Sequence, residues 1–376
     1  MEPVQEIKNL MPNHEFKICV AGKDPVFRLI MENGWKRLSI IIILAYFIGI
    51  LPIFFSIING DFVNHTIKID ALHDTGYHNQ IFFLFPFIIW FSYYYFYPLE
   101  KSLKLIRKRG IVKMTDKEYF IFVKKINNKF KEPVISYFPY LISFMIMIFL
   151  AFSYWFAGIG TWNSPQKSRF SNLPTLFTIL PAYLLYYMIV AFVFRVAGVY
   201  YIVKNFLSHE VKIQPLHPDK CGGLSPLGNF SLRISVAGVI VGISVLFGVF
   251  TNIYQYNQNV YSPPNILMFS GYIVGLAIVF FIPLLAANKG MKAAKGRTLQ
   301  LISDKFNSVM DIAMKMDNEN DSRKQMEYIQ NLEHLYNLAK KMPVYPFNTA
   351  NIMKFLYSVF WPLILIFLQS YISKSI

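Results

Sequence analysis

The 376-residue chain is 55% hydrophobic, has charged side chains at only 15% of its positions and has a mean hydropathy of +0.38. Soluble domains are about 25% charged, so this composition excludes an ordinary water-soluble fold. The formal net charge of +16 comes from loops that flank apolar blocks. Charge placed in this way acts in membrane topology and attracts anionic headgroups, and we expect no nucleic-acid partner.

Seven apolar blocks are each long enough to cross a hydrocarbon core of about 30 Å. They predict an all-α, polytopic helical membrane protein with about seven transmembrane helices. The last block is short and contains Pro362, so a re-entrant segment is the alternative there. The blocks are Leu38–Ile58, Gln80–Leu99, Val134–Gly158, Leu173–Val203, Ile234–Tyr254, Ile266–Ala287 and Phe355–Ile372.

The distribution of Lys and Arg predicts the orientation. Basic residues are concentrated in Glu100–Pro133 and Lys289–Phe347, whereas the opposite loops hold only Lys68, Lys167 and Arg169. Positively charged loops stay in the cytoplasm, so we expect a cytoplasmic N-terminus. The richness in Phe, Ile, Lys, Asn and Tyr fits an AT-rich bacterial genome, and we therefore expect a bacterial inner membrane.

The predicted domains follow from these blocks. Residues 1–37 form a cytosolic segment in which Asp24 caps a helix that begins at Pro25 and lies along the membrane. Residues 38–288 hold six spans, residues 289–347 form a cytosolic helical hairpin, and residues 348–376 form the final helix. The apolar faces of the hairpin need burial, against other parts of the chain or against another subunit. We expect a homo-oligomer.

Apolar residues also alternate with the lysines between the second and third spans. This pattern is typical of basic amphipathic helices that rest on anionic headgroups, as a surface elbow or as a lipid regulatory site. The lipid bilayer is therefore an expected partner. The residues are Leu103, Ile106, Ile111, Phe120, Phe122, Val123 and Ile126.

Charge is scarce inside the spans. Arg195 is the one clear intramembrane charge, near the cytoplasmic part of the fourth block. It can snorkel or pair with a carbonyl, or it can line a pore.

The segment between the fourth and fifth spans is rich in proline and glycine and predicts a compact turn. We expect Asp219 to accept from nearby backbone amides and His217 to donate to a carbonyl. We expect Ser225-Pro226 to form the cap and first turn of the fifth helix. His217, Asp219 and Cys221 are also metal-ligand types, but their spacing is not that of a standard zinc site, and we expect no metal and no cofactor. Gly222 and Gly223 complete the turn.

This HPDxxGGL loop, with Pro343–Asn348 and Phe355–Pro362, resembles bacterial multi-pass membrane proteins that carry similar strings. That resemblance implies no activity. In topology alone the chain looks like insect odorant and gustatory receptors, which are ligand-gated cation channels with seven spans. His217-Pro218-Asp219 also matches the tripeptide of J-domain cochaperones, but a membrane span precedes it here and a glycine pair follows.

Two spans carry glycines four residues apart, Gly238 with Gly242 and Gly271 with Gly275. Each pair falls on one helix face, and such faces let backbones approach closely. We expect the two helices to pack together within one subunit, with packing between subunits as the alternative.

The final block contains polar residues that are poorly placed against lipid. Phe355, Ser358, Val359, Gln369 and Ser370 are therefore pore or gate candidates, in which Phe355 and Val359 close a hydrated path by dewetting. The alternative is packing against neighbouring spans within one monomer.

No Walker loop, Gly-x-Ser-x-Gly elbow or HExxH motif occurs, and we expect no enzyme. The expectation is an oligomeric channel or permeability effector gated from the cytoplasm, with a role in bacterial defence. A receptor or sensor that signals through the cytosolic helices, and a transporter, are the alternatives.

Overall fold

The computed structural model describes most of the chain. The residues described are 18–32, 34–65, 69–157, 162, 173–214, 217–219, 221–251, 253, 263–314, 319–346, 352–358, 360–361 and 364.

The described chain is almost entirely helical, with one two-stranded ribbon. The helices are α1 (Pro25–Glu32), α2 (Gly34–Ile58), α3 (Thr75–Lys108, π-helical over Asn79–Leu84), α4 (Asp116–Phe130), α5 (Pro133–Ala157), α6 (Leu173–Phe206), α7 (Ser225–Leu232), α8 (Ile234–Phe250), α9 (Pro263–Ala313) and α10 (Glu319–Lys340). The strands are β1 (Val112–Lys113) and β2 (Glu210–Val211). Residues 352–358 are also helical.

Five of the helical segments described are long and apolar enough to cross a membrane: Gly34–Ile58, Thr75–Lys108, Leu173–Phe206, Ser225–Phe250 and Phe269–Ala313. The third predicted block forms α5, a helix of 25 residues that is not among these five. Most of the block Phe355–Ile372 lies outside the described residues.

Helix α2 shows how such a helix is built. Its outer surface exposes large apolar side chains, among them Ile43 (64%) and Phe47 (63%), which water would disfavour over so wide an area. Its inner face is made of small residues, and a Cβ added at Gly49 would lie 2.0 Å from the Ile81 side chain of α3. The helix therefore contacts protein through small residues and offers bulky ones to lipid.

One end of the helices carries a folded cap, which we call the basic end. It is made of the described residues 18–24, 100–133, 207–214, 217–219, 221–224, 289–314 and 319–346. Strand β1 pairs antiparallel with β2, with Val112 opposite Val211. The Lys295 Nζ donates to the carbonyls of Lys340 (2.6 Å) and Met342 (3.1 Å). Segments that are far apart in sequence are thus joined at this end.

Helix α4 belongs to this cap. Thr115 and Glu118 form a reciprocal capping box at its start, which satisfies two otherwise unpaired backbone amides. Its apolar face is buried in the protein, with Phe122, Val123 and Ile126 all 3% exposed or less. The expected contact of these side chains with headgroups is therefore corrected, because the ends of α3 and α6 cover them; only the lysine-rich face points outward.

At the opposite end of the helices, a polar cluster around Asp74 connects segments that are distant in sequence. The buried Asp74 accepts from the backbone N of Tyr77 (2.8 Å) and from Trp162 Nε1 (2.9 Å), while Thr75 and Thr251 join their hydroxyls at 2.9 Å. Trp162 is fully buried. Its indole is a structural hydrogen-bond donor.

Helix α9 is much longer than its apolar part. Its 51 residues run without interruption across the expected boundary at Lys289, a length of about 76 Å. Beyond that point it contacts α10. A rigid element therefore connects the apolar helices to the basic end.

Candidate functional site at the basic end

The first polar site lies where the N-terminal segment enters the helices. Asp24 Oδ1 accepts from the backbone N of Phe27 (3.1 Å), so Asp24 caps α1 as predicted, and it also accepts from the hydroxyl of Tyr140 (3.0 Å). Asp24 Oδ2 accepts from the Tyr187 hydroxyl and forms an ion pair with Arg195 Nη2 at 2.9 Å. Both charged side chains are 0% exposed.

Arg195 is satisfied mainly by protein groups. Its guanidinium donates to the carbonyls of Ile135 (2.9 Å) and Ala21 (3.3 Å), and it lies 5.2 Å from the centre of the Phe27 ring. The expected pairing with a carbonyl is therefore present, while the snorkelling arrangement is not. This cluster, which we call the Asp24 anchor, ties residues 18–32 to α5 and α6.

The HPDxxGGL loop forms the second polar site. The Asp219 carboxylate accepts from the backbone amides of Cys221 (2.8 Å), Gly223 (3.0 Å) and Ser225 (3.2 Å). Burial alone would raise the pKa of Asp219, but these hydrogen bonds outweigh it and lower the pKa to about 2. The predicted turn around Asp219 is confirmed.

Two details of this turn differ from the sequence expectation. His217 Nδ1 accepts from the backbone N of Asp219 (3.2 Å) and lies 2.8 Å from Asp219 Oδ1, so the ring contacts Asp219 and not a carbonyl. Ser225 is the first residue of α7 and not its cap; its amide is bound by Asp219. One carboxylate thus serves both the turn and the start of the helix.

The glycine pair is required by the backbone and by packing. Gly222 and Gly223 have φ of 65° and 91°, a region that other residues rarely adopt. A Cβ at Gly222 would lie 2.4 Å from Ile213, and one at Gly223 would lie 2.3 Å from Ile111. The loop is therefore pressed against the residues that flank β1 and β2.

The chemistry of this loop is structural. Burial, and then the negative charge of Asp219, raises the pKa of the Cys221 thiol to about 11, so the thiolate that a metal or an electrophile needs is rare. In the part of the chain that the structure describes, no group of three or more His, Cys, Asp or Glu side chains is placed to hold a metal ion.

The pore candidates of the final helix lie against the neighbouring helices. Phe355 is 4% exposed and stacks on Phe280 with 3.9 Å between ring centres. Ser358 is 5% exposed, and its carbonyl accepts from the Tyr272 hydroxyl at 3.2 Å. For Phe355 and Ser358, these contacts match the alternative of packing against neighbouring spans within one monomer. Val359, Gln369 and Ser370 lie outside the described residues.

The two glycine pairs behave differently. A Cβ at Gly238 would meet Ser358 at 3.0 Å, and the Gly238 carbonyl accepts from Tyr272 at 2.8 Å. Gly242 is buried on the same helix. At Gly271 and Gly275 nothing described lies within 4 Å of such a Cβ, so within one chain only the first pair forms the close contact that the spacing predicts.

Sequence reasoning missed the Asp24 anchor as a connected site. Asp24 was recognised only as a cap, and Arg195 only as a lone charge. The available signal was the cost of a charge in an apolar helix, which demands a partner from elsewhere in the chain. The ribbon between β1 and β2 was also missed, because strands of two residues have no periodicity to detect.

Comparison with known proteins gives no relative: no family model, curated protein or solved structure matches the chain. The class therefore follows from the fold. The long apolar helices define a multi-pass α-helical membrane protein.

Proposed function

We propose that the protein is an oligomeric membrane channel, controlled from its basic end, that crosses the bilayer seven times. The crossings are the five long apolar helices, α5 and the final block. The excess of Lys and Arg at the basic end supports a bacterial inner-membrane protein whose basic end and N-terminus face the cytoplasm.

The observation that carries the proposal is a pair of exposed apolar side chains on the part of α9 beyond the expected membrane boundary. Beyond Lys289, helix α9 exposes Leu301 (65%) and Ile312 (49%), which fall on one helix face eleven residues apart. Exposed apolar groups that share a face in water favour a protein partner. A second copy of the chain is the simplest one, and α9 would connect such contacts directly to the membrane helices.

A sensor is the second candidate function. The burial of Phe355 and Ser358 favours it, because the helix face expected to line a pore is covered by α8 and α9 in one chain. In that case α9 and α10 carry a signal from the membrane helices to a cytoplasmic partner, and no ion path exists.

The test compares two pairs of charge substitutions on α9. Leu301→Glu with Ile312→Glu places charge on the apolar face, whereas Gln300→Glu with Asn307→Glu adds the same charge on another exposed face. The measurements are the mass of the purified particle and potassium flux from liposomes. We expect an oligomer that leaks potassium, abolished by the first pair and retained by the second.

A monomeric wild-type particle without flux under any imposed gradient would contradict the channel and leave the sensor. Phe355→Ser is not a suitable gate variant, because it would remove the stacking of Phe355 on Phe280. Gln369→Leu is a suitable pore variant, with an altered potassium flux as its expected result.

A further inference from the structure

A basic groove lies between α4, the start of α5 and α6. It has a volume of about 500 Å³ and opens to one side. Lys124, Lys125 and Lys129 line it together with Glu132 and Tyr201. Three lysines against one glutamate give the lining a formal charge of +2.

The walls of the groove are fixed by the fold. Phe130, at the end of α4, is buried against Gly198 of α6, where a Cβ would lie 2.4 Å from the ring. Lys125 Nζ donates to Asn205 Oδ1 at 3.1 Å, and Asn205 in turn donates to the Tyr201 carbonyl at 2.8 Å. The groove is therefore shaped before any ligand arrives.

Contacts between α5 and α6 place the groove at the membrane boundary. The rings of Phe138 and Phe194 meet with 5.7 Å between centres, so these residues lie at one level. Exposed apolar side chains on α5 begin at Val134, which is 69% exposed. Glu132 and Tyr201 lie less than one helical turn beyond Val134, within about 5 Å, which is the depth of the headgroup layer.

The charges inside the groove leave binding capacity for an anion. Glu132 neutralises Lys129, with 2.7 Å between Oε2 and Nζ. Lys124 is exposed and has no ion pair among the described residues. Lysine ammonium groups bind phosphate as point charges, and the Tyr201 hydroxyl provides a neutral donor beside them.

We propose that this groove binds the phosphate of an anionic glycerophospholipid in the leaflet that faces the basic end. The lipid enters from the side of Val134, its acyl chains lie along the exposed apolar surface of α5, and its phosphate contacts the lysines. This proposal is independent of the channel, since it requires only that α5 and α6 lie in the membrane.

The test measures lipid binding to the full-length protein in detergent. Binding is followed by the thermal stabilisation that increasing concentrations of a short-chain lipid produce. Dioctanoyl phosphatidylglycerol is compared with dioctanoyl phosphatidylcholine and with inorganic phosphate. We expect saturable binding of phosphatidylglycerol, and weak binding of the other two.

Two double variants distinguish lipid binding in the groove from general attraction to basic charge. Lys124→Gln with Lys129→Gln should weaken phosphatidylglycerol binding by about fivefold for each lysine, about 25-fold for both. Lys108→Gln with Lys117→Gln removes the same charge from exposed positions outside the groove and should change binding less than about twofold. Equal weakening in the two variants would overturn the proposal.

A gain of affinity provides the second measurement. Glu132→Gln frees Lys129 and removes the negative charge of the groove, so phosphatidylglycerol should bind about fivefold more tightly. Because Glu132→Gln is expected to strengthen binding, a loss of folding stability cannot imitate its effect. Unchanged binding in Glu132→Gln would contradict the site, and equal affinity for inorganic phosphate would assign the groove to a soluble anion.

Discussion

Two aspartates at the basic end hold chain segments in place by different means. Asp24 is fully buried and shares its carboxylate among a guanidinium, two tyrosine hydroxyls and one backbone amide. Asp219 retains 12% exposure and accepts mainly from backbone amides. The first connects α1 to distant helices, while the second organises one turn and the helix that follows it.

The difference follows from the access of water. A carboxylate buried among membrane helices needs an opposite charge, since desolvation costs more than neutral hydrogen bonds return. A carboxylate at a loop keeps part of its hydration, so three amides and a more distant guanidinium, Arg109 Nη1 at 4.0 Å, are enough. Removal of a partner should therefore cost far more at the Asp24 anchor than at the loop.

The largest effect is expected at Arg195. Arg195→Met leaves Asp24 buried without its counter-charge and should reduce the free energy of unfolding by about 3–5 kcal/mol. Unfolding by sodium dodecyl sulfate in mixed micelles measures this difference. The double variant Asp24→Asn with Arg195→Met contains neither charge, so it should be more stable than Arg195→Met alone.

A loss below about 1 kcal/mol in Arg195→Met would show that water reaches the pair. Tyr140→Phe is the matched control, because it removes one donor to Asp24 and leaves the ion pair intact. It should cost about 1 kcal/mol.

An intermediate effect is expected at the glycine pair of the loop. Gly223→Ala places a Cβ 2.3 Å from Ile111 at a φ of 91° and should cost about 2–3 kcal/mol. Gly110→Ala is the control, since Gly110 has a φ of 70° but nothing within 4 Å of a Cβ. It should cost about 1 kcal/mol, from the backbone alone. Equal losses would mean that Ile111 moves aside freely.

The smallest effect is expected at Asp219, and it depends on pH. The folded pKa of about 2 lies below the unfolded value of about 4, so the ionised carboxylate stabilises the fold above pH 4, and this contribution is lost as the pH falls towards 2. Asp219→Asn should cost about 1–2 kcal/mol at pH 7. The stability gap between wild type and variant should narrow mainly between about pH 4 and pH 2.

The labelling rate of the Cys221 thiol is an independent measure of whether the same turn is formed. In a Cys19→Ser background at pH 8, its pKa of about 11 should make labelling slower than for a free thiol by on the order of 200-fold. Asp219→Ala should open the turn and accelerate labelling. Rapid labelling of Cys221 in the wild-type turn would contradict the buried geometry.

The sequence predicts the helices well because apolar length is a strong signal. The block Leu38–Ile58 corresponds to α2, and Leu173–Val203 to α6. The turn at Asp219 was also predictable, because its donors are within six residues and proline and glycine fix the local backbone.

Contacts between distant segments were not predictable in the same way. Asp24 and Arg195 are separated by 171 residues, and nothing in the apolar pattern specifies which helices become neighbours. The burial of α4 was missed for a related reason: a basic amphipathic helix has the same periodicity whether its apolar face contacts lipid or protein.

The separation of Asp24 from Arg195 also has a consequence for biosynthesis. Ribosomes add roughly 5–20 residues per second, so Asp24 emerges roughly 10–35 s before its partner is made. During that interval the carboxylate can remain hydrated at the membrane surface, and α1 has no complete docking site. Helix α1 therefore reaches its final position only after the first half of the protein has been inserted.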